Sequence, residues 1–207
     1  MSRNMTVPVI RFSASAAVAA LVCAAAMAGT HKRANGEIIG KVELGSGPVE
    51  YAVVSLTDVS GSFPAPAKPV TLDQREKQFL PHVLAILKGT TVRFSNSDPF
   101  LHNVFSSSRV KTFNVSQSAK GDYSDMLFDK PGLIPIKCHI HANMKGFIVV
   151  LTNPYFGVTN EKGLFKISDV PAGTYTMKVW SEHSSTTTQS ITVEAGGRAK
   201  AIIKVSE

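Results

Sequence analysis

Short segments in which apolar and polar residues alternate dominate the chain after residue 34. In the clearest of them, residues 91–95, Val92 and Phe94 alternate with polar residues and would share one face of a β-strand. Gly, Pro, Asn and Asp separate the segments, and no long stretch has helical spacing. The pattern predicts an all-β sandwich fold. The predicted strands are residues 37–44, 51–57, 83–87, 91–96, 103–106, 125–128, 133–138, 147–151, 164–168, 174–180, 189–194 and 199–205.

Three smaller features add to this prediction. Residues 72–78 have enough polar and helix-forming residues to predict a short helical turn. The Pro-rich residues 64–69 predict an extended linker. Pro135 lies inside a predicted strand and has no backbone donor, so we expect that strand to lie at a sheet edge.

The first 28 residues differ in character from the rest. Arg3 and Arg11 give a positive start, residues 14–26 are apolar, and Ala26-Met27-Ala28 is a small-x-small cleavage signature. These features predict an export signal peptide over residues 1–28. The apolar run is too short to span a bilayer comfortably, so we expect a periplasmic or otherwise exported protein without a transmembrane anchor.

Removal of this leader would change the cysteine content and the charge. Cys23 would be lost, leaving Cys138 as a lone thiol in an oxidising compartment, where such thiols normally pair or react. The net charge would fall from +7 to +5 with the two leader arginines. A mildly basic surface could attract an acidic partner or an anionic membrane face, but a solvated surface of mixed charge is the simpler interpretation. The Lys and Arg residues are too scattered to predict nucleic-acid binding.

The run from Cys138 to Met144 places a thiol, an imidazole and a thioether within seven residues. Copper(I) favours sulfur ligands and copper(II) favours imidazole, and a site of two His, one Cys and a weak axial Met suits both. His102 is the natural second histidine. The sequence therefore predicts one type 1 copper centre per chain, with His102, Cys138, His141 and Met144 as ligands.

Each of these residues also has a simpler interpretation. Cys138 would be an inert buried thiol, His102 a core histidine, His141 an exposed loop residue and Met144 a packing residue. Strand alternation sends His139 to the face opposite Cys138, so we expect it to be exposed and not to bind metal.

The remaining histidines are less informative. His82 follows Pro81 at the start of a predicted strand, and its role stays open between surface, packing and a second metal site. His183 lies at a predicted strand end, and His31 is close to the leader.

Residues 79–151 resemble small cupredoxins of the amicyanin and plastocyanin type. The resemblance lies in the turn at residues 88–92, the segment from Asn96 to Val104, the Pro131-Gly132 pair and the Cys-x2-His-x2-Met loop. It implies a Greek-key β-sandwich over residues 70–152 that carries type 1 copper and transfers electrons.

The same resemblance implies supporting roles around the copper. Asn103 would tie the two ligand loops together and donate a hydrogen bond to the sulfur, and the Leu101 carbonyl would be a distant contact opposite Met144. The ring of His141 would emerge through an apolar patch. The expected patch residues are Pro99, Phe100, Leu101 and Ala142.

The flanks resemble a carboxypeptidase regulatory-like domain, which is a transthyretin-like β-sandwich. Residues 36–56 match its opening strands and residues 159–175 its later ones. Because the two halves lie on either side of the cupredoxin-like segment, we expect a discontinuous domain of residues 35–63 and 153–207, with the copper domain inserted in it or packed beside it. This combined architecture resembles proteins described as plastocyanin-like or methylamine-utilisation-like.

These observations favour an electron carrier with a redox protein partner such as a cytochrome, a dehydrogenase or an oxidase. An oxidase or nitrite reductase would need further copper centres, and six histidines are too few to supply them, although an open copper site that used His139 or His82 would be compatible with the sequence. We therefore expect no self-contained enzyme activity. Two alternatives stay open, a copper delivery or storage protein and a non-redox β-sandwich binding module.

Overall fold

The computed structural model describes residues 34–117 and 120–207. These residues form β-strands joined by turns and loops, with no helix among them, so the predicted all-β fold is confirmed. No helix in either described range is long and apolar enough to span a bilayer. The predicted leader, with Cys23, and His31 lie outside the described residues.

Strands from the two ends of the described chain form two sheets with one core between them, here called the flanking sandwich. One sheet has the order β14-β1-β17, with β2 beside β1, and the other has the order β13-β3-β15-β16. Side chains of both sheets, among them Ile38, Val54 and Val179, meet in one buried cluster. The strands are β1 (Gly36–Leu44), β2 (Gly47–Pro48), β3 (Val53–Thr57), β13 (Phe156–Val158), β14 (Leu164–Val170), β15 (Gly173–Ser181), β16 (Ser184–Val193) and β17 (Arg198–Val205).

The intervening strands form a second pair of sheets, here called the central sandwich. One sheet has the order β10-β7-β4-β5 and the other the order β6-β12-β11-β8-β9. The strands are β4 (Val70–Arg75), β5 (Gln78–Leu80), β6 (Val83–Leu87), β7 (Thr90–Asn96), β8 (His102–Ser107), β9 (Thr112–Gln117), β10 (Tyr123–Phe128), β11 (Gly132–Lys137) and β12 (Lys145–Leu151).

The core of the central sandwich follows from strand alternation. Along β7 every second residue is buried, and Val92 and Phe94 are fully buried, as their alternation predicts. They meet Ile134, Ile136 and Ile148 of the opposite sheet in one hydrophobic cluster. The same cluster includes Cys138 and Met144, so the two candidate sulfur ligands belong to a packed core.

The predicted helical turn at residues 72–78 is wrong, because these residues form the hairpin of β4 and β5. Leu72 and Gln74 are buried in strand alternation. The chain reverses at Glu76 and Lys77, whose φ angles are +53° and +58°. Two positive φ values in a two-residue loop define the hairpin turn that suits twisted strands, and this turn lacks the Gly or Asn that usually marks it in a sequence.

The edge position predicted from Pro135 is also wrong, since β11 lies between β12 and β8. Pro135 is opposite Phe147 of β12. On the other side β11 pairs with β8 at Lys137. Pro135 precedes that pairing, so its missing N–H is accommodated within an interior strand.

Candidate metal centre

Two separate segments of the central sandwich carry the predicted ligands. His102 is the first residue of β8, Cys138 directly follows β11, and His141 and Met144 lie in the loop that leads into β12. Two backbone hydrogen bonds close this loop, from Cys138 N to Met144 O at 3.1 Å and from Met144 N to His141 O at 2.9 Å. The loop over residues 138–144, here called the ligand loop, therefore continues the β11–β12 ladder as a tight turn.

The structure brings His102, Cys138 and His141 together. Their ligand atoms lie within 4.8 Å of one another. His102 Nδ1 is 3.1 Å from His141 Nδ1, which in turn is 3.9 Å from Cys138 Sγ. His102 is 1% exposed and Cys138 5%, whereas His141 is half-buried. Within the described residues no other group of three His, Cys, Asp or Glu side chains is this close.

These spacings fit a bound transition-metal ion. Imidazole and thiolate bonds of about 2.0–2.3 Å at angles near 120° place neighbouring donor atoms about 3.5–3.8 Å apart. The observed distances of 3.1 and 3.9 Å lie on either side of this range. Small shifts of the rings would therefore fit one ion between the three donors.

Met144, the predicted axial ligand, is buried in the core of the central sandwich. It is 1% exposed and belongs to the same hydrophobic cluster as Cys138. Its backbone bonds to the ligand loop at both the N–H and the carbonyl. The burial suits a thioether facing a metal as well as one that only packs, so its role as axial ligand stays a prediction.

Asp98 orients His102, a role that the sequence patterns did not predict. Its Oδ2 lies 2.8 Å from His102 Nε2. A carboxylate can only accept hydrogen bonds, so Nε2 carries the proton and Nδ1, which faces His141, presents its lone pair. Carboxylate partners of this kind fix the tautomer and the ring orientation of metal-binding histidines. An Asp four residues before a candidate His was the signal available in the sequence.

The β4–β5 hairpin supports Asp98 in turn. The N–H groups of Glu76 and Lys77 donate to its carboxylate at 2.7 and 2.9 Å. Burial alone would raise the pKa of Asp98, but the hydrogen bonds from Lys77, His102 and Glu76 outweigh it and hold the pKa below its ordinary value. Asp98 is thus an anion that accepts three hydrogen bonds.

Asn103 connects the two ligand segments. Its Oδ1 accepts the backbone N–H of His139 at 2.8 Å, which ties β8 to the ligand loop. Its Nδ2 donates to Asn114 Oδ1 at 2.9 Å, which holds the amide from the β9 side. The side chain of Leu101 is exposed, and the role expected for its carbonyl stays a prediction.

Two exposed apolar side chains directly precede His102 in the sequence. Phe100 is 48% and Leu101 56% exposed. Lys77 lies above the Phe100 ring, with Nζ 5.2 Å from the centroid. Burial lowers the pKa of His141, and the nearby His102 and Lys77 lower it further, which favours the neutral imidazole that a metal requires.

The other described histidines do not belong to this group. His139 is exposed, as alternation predicts, and its ring stacks on Phe105 with centroids 3.6 Å apart. His82 Nε2 lies 2.9 Å from Glu182 Oε2, and His183 is an exposed neighbour at 3.6 Å from the same oxygen.

Comparison with known proteins gives one family match and several similar structures. The family model described as polysaccharide lyase family 4, domain II, matches residues 152–201, which lie in the flanking sandwich. It differs from the carboxypeptidase regulatory-like family that the sequence suggested for this region. No curated relative matches the sequence.

Several similar solved structures align with part of the chain, among them a cupredoxin, an amicyanin and a copper-containing nitrite reductase. A purple cupredoxin from Nitrosopumilus maritimus is 24% identical over 39% of this chain and 98% of its own, with a TM-score of 0.36. A reduced amicyanin variant is 18% identical over 47% of this chain and 98% of its own, with a TM-score of 0.37. A copper-containing nitrite reductase from Thermus scotoductus SA-01 is 29% identical over 46% of this chain but only 25% of its own, with a TM-score of 0.39. At these TM-scores none of the three assigns a function to this chain.

Proposed function

We propose that this chain is an exported copper protein that carries single electrons between redox partners. One observation supports this most directly, the convergence of the Cys138 sulfur with the His102 and His141 nitrogens within 4.8 Å. Cys138 is also the one free cysteine in the described ranges, and it is buried beside two imidazoles. A lone thiol in that setting suits a metal bond better than a disulfide or an inert core position.

The donor set favours copper over other metals. Thiolate and thioether sulfur suit copper(I), and imidazole suits copper(II), so a Cys, two His and an axial Met serve both oxidation states. Copper held there by His102, Cys138, His141 and Met144 would supply one-electron transfer between its +2 and +1 states.

The surrounding residues would keep the ligand geometry the same in both states. Asp98 holds the His102 ring, and Asn103 ties β8 to the ligand loop. The hydrogen bond between Cys138 and Met144 fixes the two ends of that loop. Ligands that are held in this way rearrange little when the copper gains or loses an electron. Small rearrangement favours fast electron transfer and therefore a role as an electron carrier.

Burial favours a carrier over an enzyme. His102, Cys138 and Met144 are each at most 5% exposed, and only the half-buried His141 reaches toward solvent. Four protein ligands would leave no open position for a substrate. Electrons would then enter and leave beside His141, next to the exposed Phe100 and Leu101.

The domain division and the partners belong to the same proposal. Separate sheets support a discontinuous flanking domain, residues 35–63 and 153–207, around a copper domain of residues 70–152. A redox protein that contacts the surface beside His141 would be the partner. Export through the predicted leader would place the protein in the periplasm or outside the cell.

Copper titration of the protein without its predicted leader, residues 29–207, tests this proposal. We expect one equivalent of copper to bind, an intense visible absorption from the thiolate, and reversible reduction and reoxidation. Absence of stoichiometric uptake would contradict the copper function and leave a non-redox binding module. Copper that binds but cannot be cycled reversibly would instead indicate delivery or storage.

Replacement of Asp98 by asparagine is expected to lower copper affinity about 10- to 100-fold, because a neutral amide no longer fixes the proton on His102 Nε2. Competition with a copper chelator measures the affinity. Asp125→Asn is the matched control, since that carboxylate pairs with Arg93 on the surface and should leave affinity unchanged. Equal affinities of the two variants would show that Asp98 does not orient the histidine.

A further inference from the structure

A third apolar cluster joins the central sandwich to the flanking sandwich. Val149 of β12 and Val83 of β6 pack with Val53 of β3. Phe147 and Trp180 meet edge to face at the margin of this cluster, with ring centroids 5.2 Å apart. The strand that leaves the ligand loop, β12, therefore rests on the flanking sandwich along one face.

One carboxylate of the flanking sandwich reaches across this contact. Glu182 lies in the turn between β15 and β16 and is 17% exposed. Its Oε1 lies 2.6 Å from Lys145 Nζ, and its Oε2 lies 2.9 Å from His82 Nε2. Both partners belong to the central sandwich. Lys145 is the first residue of β12 and directly follows Met144.

His82 is packed tightly against the same strand. Its ring lies 5.3 Å from Tyr51 and 5.7 Å from Phe147, measured between centroids. Its carbonyl accepts the Phe147 N–H at 2.9 Å. A Cβ at Gly146 would come within 2.9 Å of that carbonyl, so the backbone next to Lys145 packs closely against His82. Glu182 thus bonds two segments that meet where the ligand loop ends.

The charge of Glu182 fits this arrangement. Burial alone would raise its pKa, but the hydrogen bonds from Lys145 and His82 outweigh burial and hold the pKa below its ordinary value. The group is therefore an anion at neutral pH and keeps both partners. An ion pair with the half-exposed Lys145 alone would contribute little, whereas a carboxylate shared with the packed His82 is more constrained.

We propose that Glu182 is a positioning residue for the metal centre, through which the flanking sandwich holds the Met144 end of the ligand loop in place. This inference rests on the proposed copper function. It gives the flanking sandwich a role that the ligands themselves do not reveal, since Glu182 acts on the site only through Lys145 and His82.

Two substitutions separate positioning from simple electrostatics. Glu182→Gln removes a negative charge and Lys145→Gln a positive one, so Coulomb effects alone would shift the copper reduction potential in opposite directions. A positioning role predicts that the reduction potential shifts in the same direction in both variants. It also predicts that both variants lose copper to a chelator about tenfold faster than the wild-type protein does. His183→Gln is the control, because that exposed side chain contacts the same carboxylate from outside and should change neither quantity.

Opposite shifts of the reduction potential with an unchanged rate of copper loss would overturn the inference, as would wild-type values in both variants.

A metal-free measurement separates failure of this inference from failure of the copper function. Amide hydrogen exchange at Cys138 and Met144 should accelerate in both variants, while exchange at Phe94 in the core stays at the wild-type rate. If wild-type protein takes up no copper, the exchange result still decides whether Glu182 positions the loop.

Discussion

Cys138→Ser is expected to abolish the intense visible absorption of the copper-loaded protein and to lower copper affinity by more than about 100-fold. Serine is nearly the same size as cysteine, so the fold around this 5% exposed position should be kept. Its hydroxyl stays protonated at neutral pH and is a poor ligand for copper(I), so the short metal–sulfur bond is lost. Optical spectra and chelator competition measure the two effects.

His139→Gln is the matched control for this experiment. His139 is adjacent to Cys138 but exposed, and its ring stacks on Phe105 rather than facing the other ligands. We expect the absorption and the affinity to stay at wild-type values. Survival of the absorption in Cys138→Ser, or its loss in His139→Gln, would contradict the assigned ligand set.

Phe94→Ala is expected to lower the free energy of unfolding by about 3–5 kcal/mol. Phe94 is fully buried, with its ring centroid 5.7 Å from that of Phe113 and 6.3 Å from that of Phe128. Removing the ring leaves a cavity that the two neighbouring rings can only partly fill. Urea denaturation of the metal-free protein measures the loss, and an unchanged m-value identifies it as a change in stability.

Tyr123→Ala is the control for Phe94→Ala. Tyr123 is 59% exposed on β10 of the same sheet, where Arg93 stacks on its ring 4.1 Å from the centroid. Its removal should cost about 1 kcal/mol or less. Equal losses in the two variants would show that the core does not pack around Phe94.

Alternation in the sequence was enough to predict most strands of both sandwiches. It worked where one face is apolar, as in β7, where Val92 and Phe94 alternate with polar residues. It failed for the β4–β5 hairpin because the buried side chain of Gln74 looks like a surface residue. The turn at Glu76 and Lys77 was not predicted for a related reason, since neither residue is a usual turn former.

The candidate metal centre likewise has residues that the sequence predicts and one that it does not. Cys138 and His141 are three residues apart, so any tight turn brings them together, and sequence spacing was sufficient. The partner of His102 was not predictable, because the carboxylate of Asp98 is held by N–H groups from the β4–β5 turn. That contact requires the pairing of β4 with β7, whereas the sequence of these residues predicts a helical turn.

Glu182 shows a further limit of the sequence. Nothing near residue 182 indicates that its side chain will bond His82 and Lys145, since the pairs are 100 and 37 residues apart. Only the packing of β15 beside β3, and of β3 against β6 and β12, brings them together.

The parallel pairing of β1 with β17 has a consequence for how the chain matures. Their paired residues, such as Glu37 and Arg198, are 161 residues apart, and all four candidate ligands lie between them. The central sandwich is one uninterrupted segment of the chain, whereas β1 cannot complete its sheet until β17 has been synthesised. Contacts this distant in the chain form slowly, so we expect the central sandwich to fold before the pairing of β1 with β17 closes the outer layer. A truncation before β17 would leave β1 with an unpaired edge that is open to aggregation, although every strand of the central sandwich is present.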